Sequence, residues 1–356
     1  MKQGRLEKVF NLIESKELDA FLIKGADNIF YLTGFRGSEA TLIVTRGDVI
    51  LLTDFRYITY AQEIAKDIII TEMNWKRNLI QEICDRYRIK KIGFDSIHTT
   101  YFMYGRWIES VKNVDFIPID NEIEGIRIHK EPDEIDAVLK AVDIATKAFI
   151  NVLEHICPGK TEIQIANELD YAMRMLGAEC PSFDTIVASG ARAALPHAVP
   201  TDKKINEGDA VIIDFGARLD GYCSDETCTV LIGEASAQLK EIYNVVNDAR
   251  ILGLEKVAPG ASINELDMAV RGFIDNAGYG EYFRHGVGHG VGIAVHEPPV
   301  INSSSDGILE ENMIITIEPG IYLPNVGGVR LEDMVLVTKN GSMVLTSVRK
   351  DMLNIN

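Results

Sequence analysis

Cysteine is scarce in this chain. It has five in 356 residues, Cys84, Cys157, Cys180, Cys223 and Cys228, and no C-x-x-C pair. An odd, scattered set argues against both a disulfide scaffold and a thiolate zinc site, so a reducing compartment, the cytoplasm, is expected. Long uncharged apolar runs are missing too, which argues against a membrane span. The first residues, Met1-Lys2-Gln3-Gly4-Arg5, lead straight into an amphipathic helix pattern at Leu6, Val9, Phe10 and Ile13. They contain no apolar h-region, so no signal peptide is expected. Positive charge is in short supply: 36 Lys and Arg stand against 53 Asp and Glu, a formal net charge of −17. Such a surface repels phosphate backbones and argues against a nucleic-acid partner. It is compatible with a substrate that carries a positive amino terminus.

What is there is an ordinary globular composition, 46% hydrophobic and 25% charged. The length suggests two domains at roughly 100–200 residues each. In the first third, Ala20–Ile23, Ala40–Val44, Val49–Thr53, Lys91–Phe94 and Val114–Ile117 read as strands, with helical patterns at Tyr57–Ala65 and Asn78–Tyr87. This predicts an α/β domain with a mixed sheet over residues 1–125. The pattern breaks around Asp120–Lys130. A long helix is then expected from Pro132, a residue suited to a first helical turn. Thr161 with Gln164 and Ser262 with Glu265 mark two further helix starts as capping boxes. Strand pairs follow each, at Ala210–Leu231 and Met313–Val337. They echo one another in Ile213-Asp214-Phe215-Gly216 and Ile317-Glu318-Pro319-Gly320, as two similar halves would.

Each strand pair carries two acids. Asp214 and Asp225 lie eleven residues apart, and a tight turn centred on Leu219 and Asp220 would set them almost opposite each other. Glu318 and Glu332 lie fourteen apart around Pro324-Asn325-Val326-Gly327. Facing like charges destabilise a sheet, so they need solvent or a cation. For a single acid, solvent is the simpler account. For four acids set in runs rich in Val and Ile, the cation is the better one.

Three of the seven histidines, His285, His289 and His296, fall in the glycine-rich run from Arg284 to Pro299. Glycines at alternate positions allow backbone and ligand to approach the imidazoles. The run has neither the G-x-G-x-x-G spacing nor the second histidine of a zincin motif. His197 sits in Leu195-Pro196-His197-Ala198. Four carboxylates with one imidazole make a hard, oxygen-rich set. It suits Mn²⁺, Co²⁺, Fe²⁺ or Zn²⁺ and can hold a pair of ions if carboxylates bridge them.

These residues resemble the pita-bread metallopeptidases, the family of methionine aminopeptidase, aminopeptidase P, prolidase and creatinase. The chain is most similar to the Xaa-Pro peptidases. The landmarks run in order: Pro196-His197, Asp214-Phe215-Gly216, Tyr222-Cys223-Ser224-Asp225, Gly288-His289-Gly290-Val291-Gly292, His296-Glu297, Ile317-Glu318-Pro319-Gly320 and Gly328-Val329-Arg330-Leu331-Glu332-Asp333. Tyr31-Leu32-Thr33-Gly34-Phe35 and Leu52-Thr53-Asp54-Phe55-Arg56-Tyr57 resemble the creatinase-type N-terminal domain.

The resemblance implies an α+β pita-bread catalytic domain over residues 126–356, with a pseudo-two-fold antiparallel sheet. It implies two divalent ions, manganese first, with cobalt, zinc or iron as alternatives. Asp214 would hold one ion, His289 and Glu318 the other, and Asp225 and Glu332 both. A hydroxide shared by the ions would be the nucleophile and Glu318 the general base. His285 and His296 would contact the substrate carbonyl and the developing oxyanion, and His197 would line the substrate site. Arg330 would contact the substrate site and hold Glu332 or Asp225. Substrates would be small peptides with proline second, and the chain would form a homodimer.

Relatives often carry an arginine where this chain has Cys228. Residues 1–125 argue against methionine aminopeptidase, and the intact ligand set argues against creatinase or a metal-free binding protein. Val300 follows His296-Glu297-Pro298-Pro299, where some prolidases place an arginine to receive a dipeptide's carboxylate. This favours the aminopeptidase P type over prolidase.

Overall fold

The computed structural model describes residues 3–74 and 76–355. The chain divides into two compact units, Met1–Arg127 and Ile128–Asn356. In the first, six strands form one mixed sheet. The order is Ile69–Glu72, Val49–Thr53, Ala40–Thr45, Ala20–Ile23, Lys91–Asp95 and Asp115–Ile119. Ala20–Ile23, Ala40–Thr45 and Val49–Thr53 run antiparallel to their neighbours among these three, and the other pairings are parallel. Those three strands are buried along their whole length, which is why they read as unbroken apolar runs. The strand Ile69–Glu72 and the helices Ala26–Thr33 and Tyr101–Ser110 lie outside the sequence reading. Gly34 has a local reason for its place: at φ 78° it closes the helix Ala26–Thr33 in the left-handed conformation.

The second unit twice repeats a helix pair followed by strands. Pro132–Leu153 and Glu162–Met175 precede the antiparallel group Ile186–Ser189, Ala210–Phe215 and Glu226–Ile232. Ala237–Lys256 and Ile263–Asn276 precede Gly288–Gly290, Ile314–Ile317 and Asp333–Thr338, again antiparallel. The α+β architecture with two similar halves is therefore present. Helix starts are built as the sequence implies. Thr161 and Gln164 form a reciprocal capping box, and Ser262 accepts the Glu265 amide. Glu131 and Glu134 form another box, with Pro132 in the first turn. Each half has its own core. One centres on Phe149, Leu169, Ile213 and Phe215, the other on Tyr243, Val270, Ile317 and Val335. The described helices include none long and apolar enough to cross a membrane.

Candidate metal centre

Glu318 and Glu332 sit where the sequence places them. Ile317 pairs with Asp333 and Gly320 with Arg330, so the two glutamates face each other between these registers. The first hairpin differs. Its turn is Asp220-Gly221, with φ 50° and 84°, the two-residue form that matches strand twist. Leu219 therefore pairs with Tyr222, and Asp214 pairs with Thr227 rather than with Asp225. Asp225 lies two residues off, diagonal to Asp214. The turn sits one residue beyond the centre expected from the sequence, and register follows the turn.

Asp225, His289 and Glu332 bring ligand atoms within 4.8 Å of one another. His289 Nε2 is 3.6 Å from Asp225 Oδ2 and 3.5 Å from Glu318 Oε1. His289 Nδ1–H donates to the Gly290 carbonyl at 3.0 Å, which leaves Nε2 with a free lone pair. Ligands about 2.0–2.2 Å from a transition-metal ion stand at comparable mutual distances. Asp214 Oδ1 is buried without a hydrogen-bond partner, an acceptor in need of a cation. These residues therefore fit one or more divalent ions. Burial, then repulsion from the neighbouring acids, raises the Asp225 and Glu332 carboxyls well above their ordinary range. Burial pushes Glu318 up to about 8. So many acids brought together without a cation would bind protons instead.

Glycine makes this geometry possible around His289. A side chain at Gly288 would collide with the Thr316 carbonyl, and one at Gly290 with the Pro298 carbonyl. The strand is thus squeezed between its two neighbours, and the Thr316 hydroxyl receives the His289 amide at 3.1 Å. The ring of His296 lies 4.3 Å from that of His289, so the same glycine-rich run returns it to the cluster.

Arg330 corrects one expectation. Its guanidinium binds Asp214 Oδ2 at 2.7 Å, not Glu332 or Asp225. It also donates to the Pro196 carbonyl, the Thr227 hydroxyl and the Tyr322 hydroxyl. Glu332 is instead held by the Thr227 hydroxyl at 2.7 Å. Tyr322 was missed from the sequence, although alternation along Glu318, Gly320 and Tyr322 was a usable signal. It receives Arg330 at 3.1 Å and donates to His285 Nε2 at 2.9 Å. His285 Nδ1–H in turn donates to the Gly286 carbonyl at 2.8 Å. Burial lowers the His285 pKa to about 4, so its ring is neutral and both nitrogens are committed.

All nine sequence-derived site residues line one cavity of about 650 Å³: Asp214, Asp225, His289, Glu318, Glu332, His197, His285, His296 and Arg330. Phe183, Asp184 and Val300 share its wall. Cys228 does not line it. Its thiol is 3.2 Å from the Lys350 ammonium, which also pairs with buried Glu226. Lys350, from the last segment of the chain, thus sets a cation beside the position where relatives often carry an arginine.

Known proteins resemble this chain in sequence and fold. Metallopeptidase family M24 matches residues 136–339, and the creatinase/prolidase N-terminal domain matches residues 5–129. A Xaa-Pro dipeptidase of Pyrococcus horikoshii is 39% identical over 98% of both chains. Among solved structures, a Xaa-Pro dipeptidase from Bacillus anthracis is 37% identical over all of both chains, with a TM-score of 0.97. An X-Pro aminopeptidase from Thermotoga maritima is 35% identical over 98% of this chain and 99% of its own, with a TM-score of 0.92.

Proposed function

The chain belongs to metallopeptidase family M24, with a creatinase/prolidase N-terminal domain, and from that premise we propose that it removes the residue before a proline at the second position of short peptides. The observation that carries this is the convergence of Asp225, His289 and Glu332, with Glu318 and Asp214 beside them, in one cavity. Those five residues would hold two divalent ions, manganese first. Bound ions supply Lewis acidity toward water and the scissile carbonyl.

Glu318 is the residue placed to move a proton. Its carboxylate lies near His289 and 3.9 Å from His285 Nδ1. It takes the proton from water and delivers it to the leaving proline nitrogen. His285 has no N–H left for an oxyanion, because Gly286 and Tyr322 occupy its two nitrogens. The donor role therefore falls to His296. Arg330 fixes Asp214 and Tyr322, and acts as a positioning residue more than as a substrate contact.

On substrate length we favour the aminopeptidase P type. A cavity of about 650 Å³ falls in the range that holds drug-sized ligands, larger than a dipeptide needs, and Val300 brings no charge to its wall. The second reading, a prolidase restricted to dipeptides, is favoured by the names of the Pyrococcus and Bacillus relatives. The test is to chelate the protein, restore Mn²⁺, Co²⁺ or Zn²⁺ separately, and compare kcat/KM for Ala-Pro and Ala-Pro-Ala. Activity is expected to vanish and return, with Ala-Pro-Ala preferred. Full activity in metal-free protein overturns the metallopeptidase reading. Preference for Ala-Pro makes the enzyme a prolidase.

A further inference from the structure

The catalytic cavity does not end at its histidines. Pro196, His197, His285 and Tyr322 also form one side of a second cavity of about 510 Å³, whose other side includes Arg284 and Pro324. The two spaces share that wall and differ in charge. The first is dominated by the acid cluster, with Asp184 as a further anion. Its arginine, Arg330, is consumed by Asp214 and by Tyr322, Thr227 and Pro196. The second holds a guanidinium that is not consumed. Arg284 uses Nε on the Glu281 carbonyl at 2.9 Å, and no carboxylate among the described residues pairs with its remaining nitrogens. A peptide lying across the centre has a cationic amino end and an anionic carboxyl end. Complementarity sets the amino end toward the acids and the carboxyl end toward Arg284.

We propose that the second cavity is a leaving-side subsite for the residue after proline, with the Arg284 guanidinium receiving that residue's terminal carboxylate. The pairing is of the forked Arg–carboxylate kind. This deepens the Xaa-Pro reading of the site and rests on it. Arg284 adjoins His285, so the turn that seats the histidine also carries the cation. Glu281 shares the cavity wall and opposes an incoming anion, so Arg284 and Glu281 together set how strongly a free carboxylate is preferred.

The test uses the metal-loaded full chain and a probe pair that differs only in charge: the product-like dipeptide Pro-Ala and its amide Pro-Ala-NH2. Calorimetry gives the affinity of each for the wild type, Arg284→Ala and Glu281→Gln. The wild type is expected to bind the acid about fivefold more tightly than the amide, the upper end for a solvent-exposed ion pair. Arg284→Ala should close that gap by weakening the acid alone, and Glu281→Gln should widen it. Equal affinities in the wild type, or a gap that survives Arg284→Ala, overturns the proposal. Binding is read without turnover, so failure to cleave Ala-Pro-Ala would defeat the functional reading separately from the subsite.

Discussion

The two acid-bearing hairpins start from similar sequence and reach different geometry. In the second, a longer loop at Pro324–Val326 leaves Glu318 and Glu332 face to face. In the first, the tight Asp220-Gly221 turn slides the register, so Asp214 faces Thr227 and Asp225 is left diagonal. The consequence is a division of labour. The Thr227 hydroxyl opposite Asp214 serves Glu332 of the other hairpin, and the Glu332 amide returns a bond to the Thr227 carbonyl at 3.1 Å. The Asp225 amide likewise reaches across to the Met334 sulfur. One hairpin keeps its acids as a facing pair. The other spends a position on joining the halves, and the centre forms at that junction.

The largest expected effect comes from removing the residue that meets both halves. Asp225→Asn should abolish metal binding and reduce turnover by more than the roughly 10–100-fold typical of losing an outer partner. Metal stoichiometry and kcat measured together decide this; near-normal values for both would mean that Asp225 is not shared. A second, intermediate effect concerns pH. In metal-free protein the raised carboxyls of Asp225, Glu332 and Glu318 keep protons that the unfolded chain releases. Their contribution is present below the ordinary carboxylate range, about pH 4, and is lost as pH rises toward the Glu318 value of about 8. Thermal melts should therefore show the gap between metal-loaded and chelated protein widening from pH 5 to 8. A constant gap would show that the acids are not mutually buried. The smallest effect tests the turn. Gly221→Ala places a β-carbon at φ 84° and should cost about 1–2 kcal/mol by denaturant melts. No change would mean that the tight turn does not set the register.

Much of this was legible beforehand because it rests on local rules. Strands such as Val49–Thr53 and the helix from Pro132 follow from apolar period and capping, and they end within a residue or so of the expected limits. The edge strand Ile69–Glu72 escaped because it is half-exposed and has no alternation to mark it. In the site, acids and histidines announced themselves by residue type. Thr227 and Lys350 did not, because the partners that give them a role, Glu332 and Cys228, lie 105 and 122 residues away.

What the sequence by itself determined, then, is the inventory: which elements form, which side chains can bind a cation, and that they lie in strand pairs of two related halves. These depend on spacing and chemistry within a few residues, where 2.0 and 3.6 periodicities operate. Tertiary structure alone decided the pairings: Arg330 on Asp214, Thr227 on Glu332, and a lysine from the last segment of the chain beside Cys228. Register across a turn and contact between distant segments depend on how whole halves pack, and a one-residue difference at a turn redirects every partner beyond it.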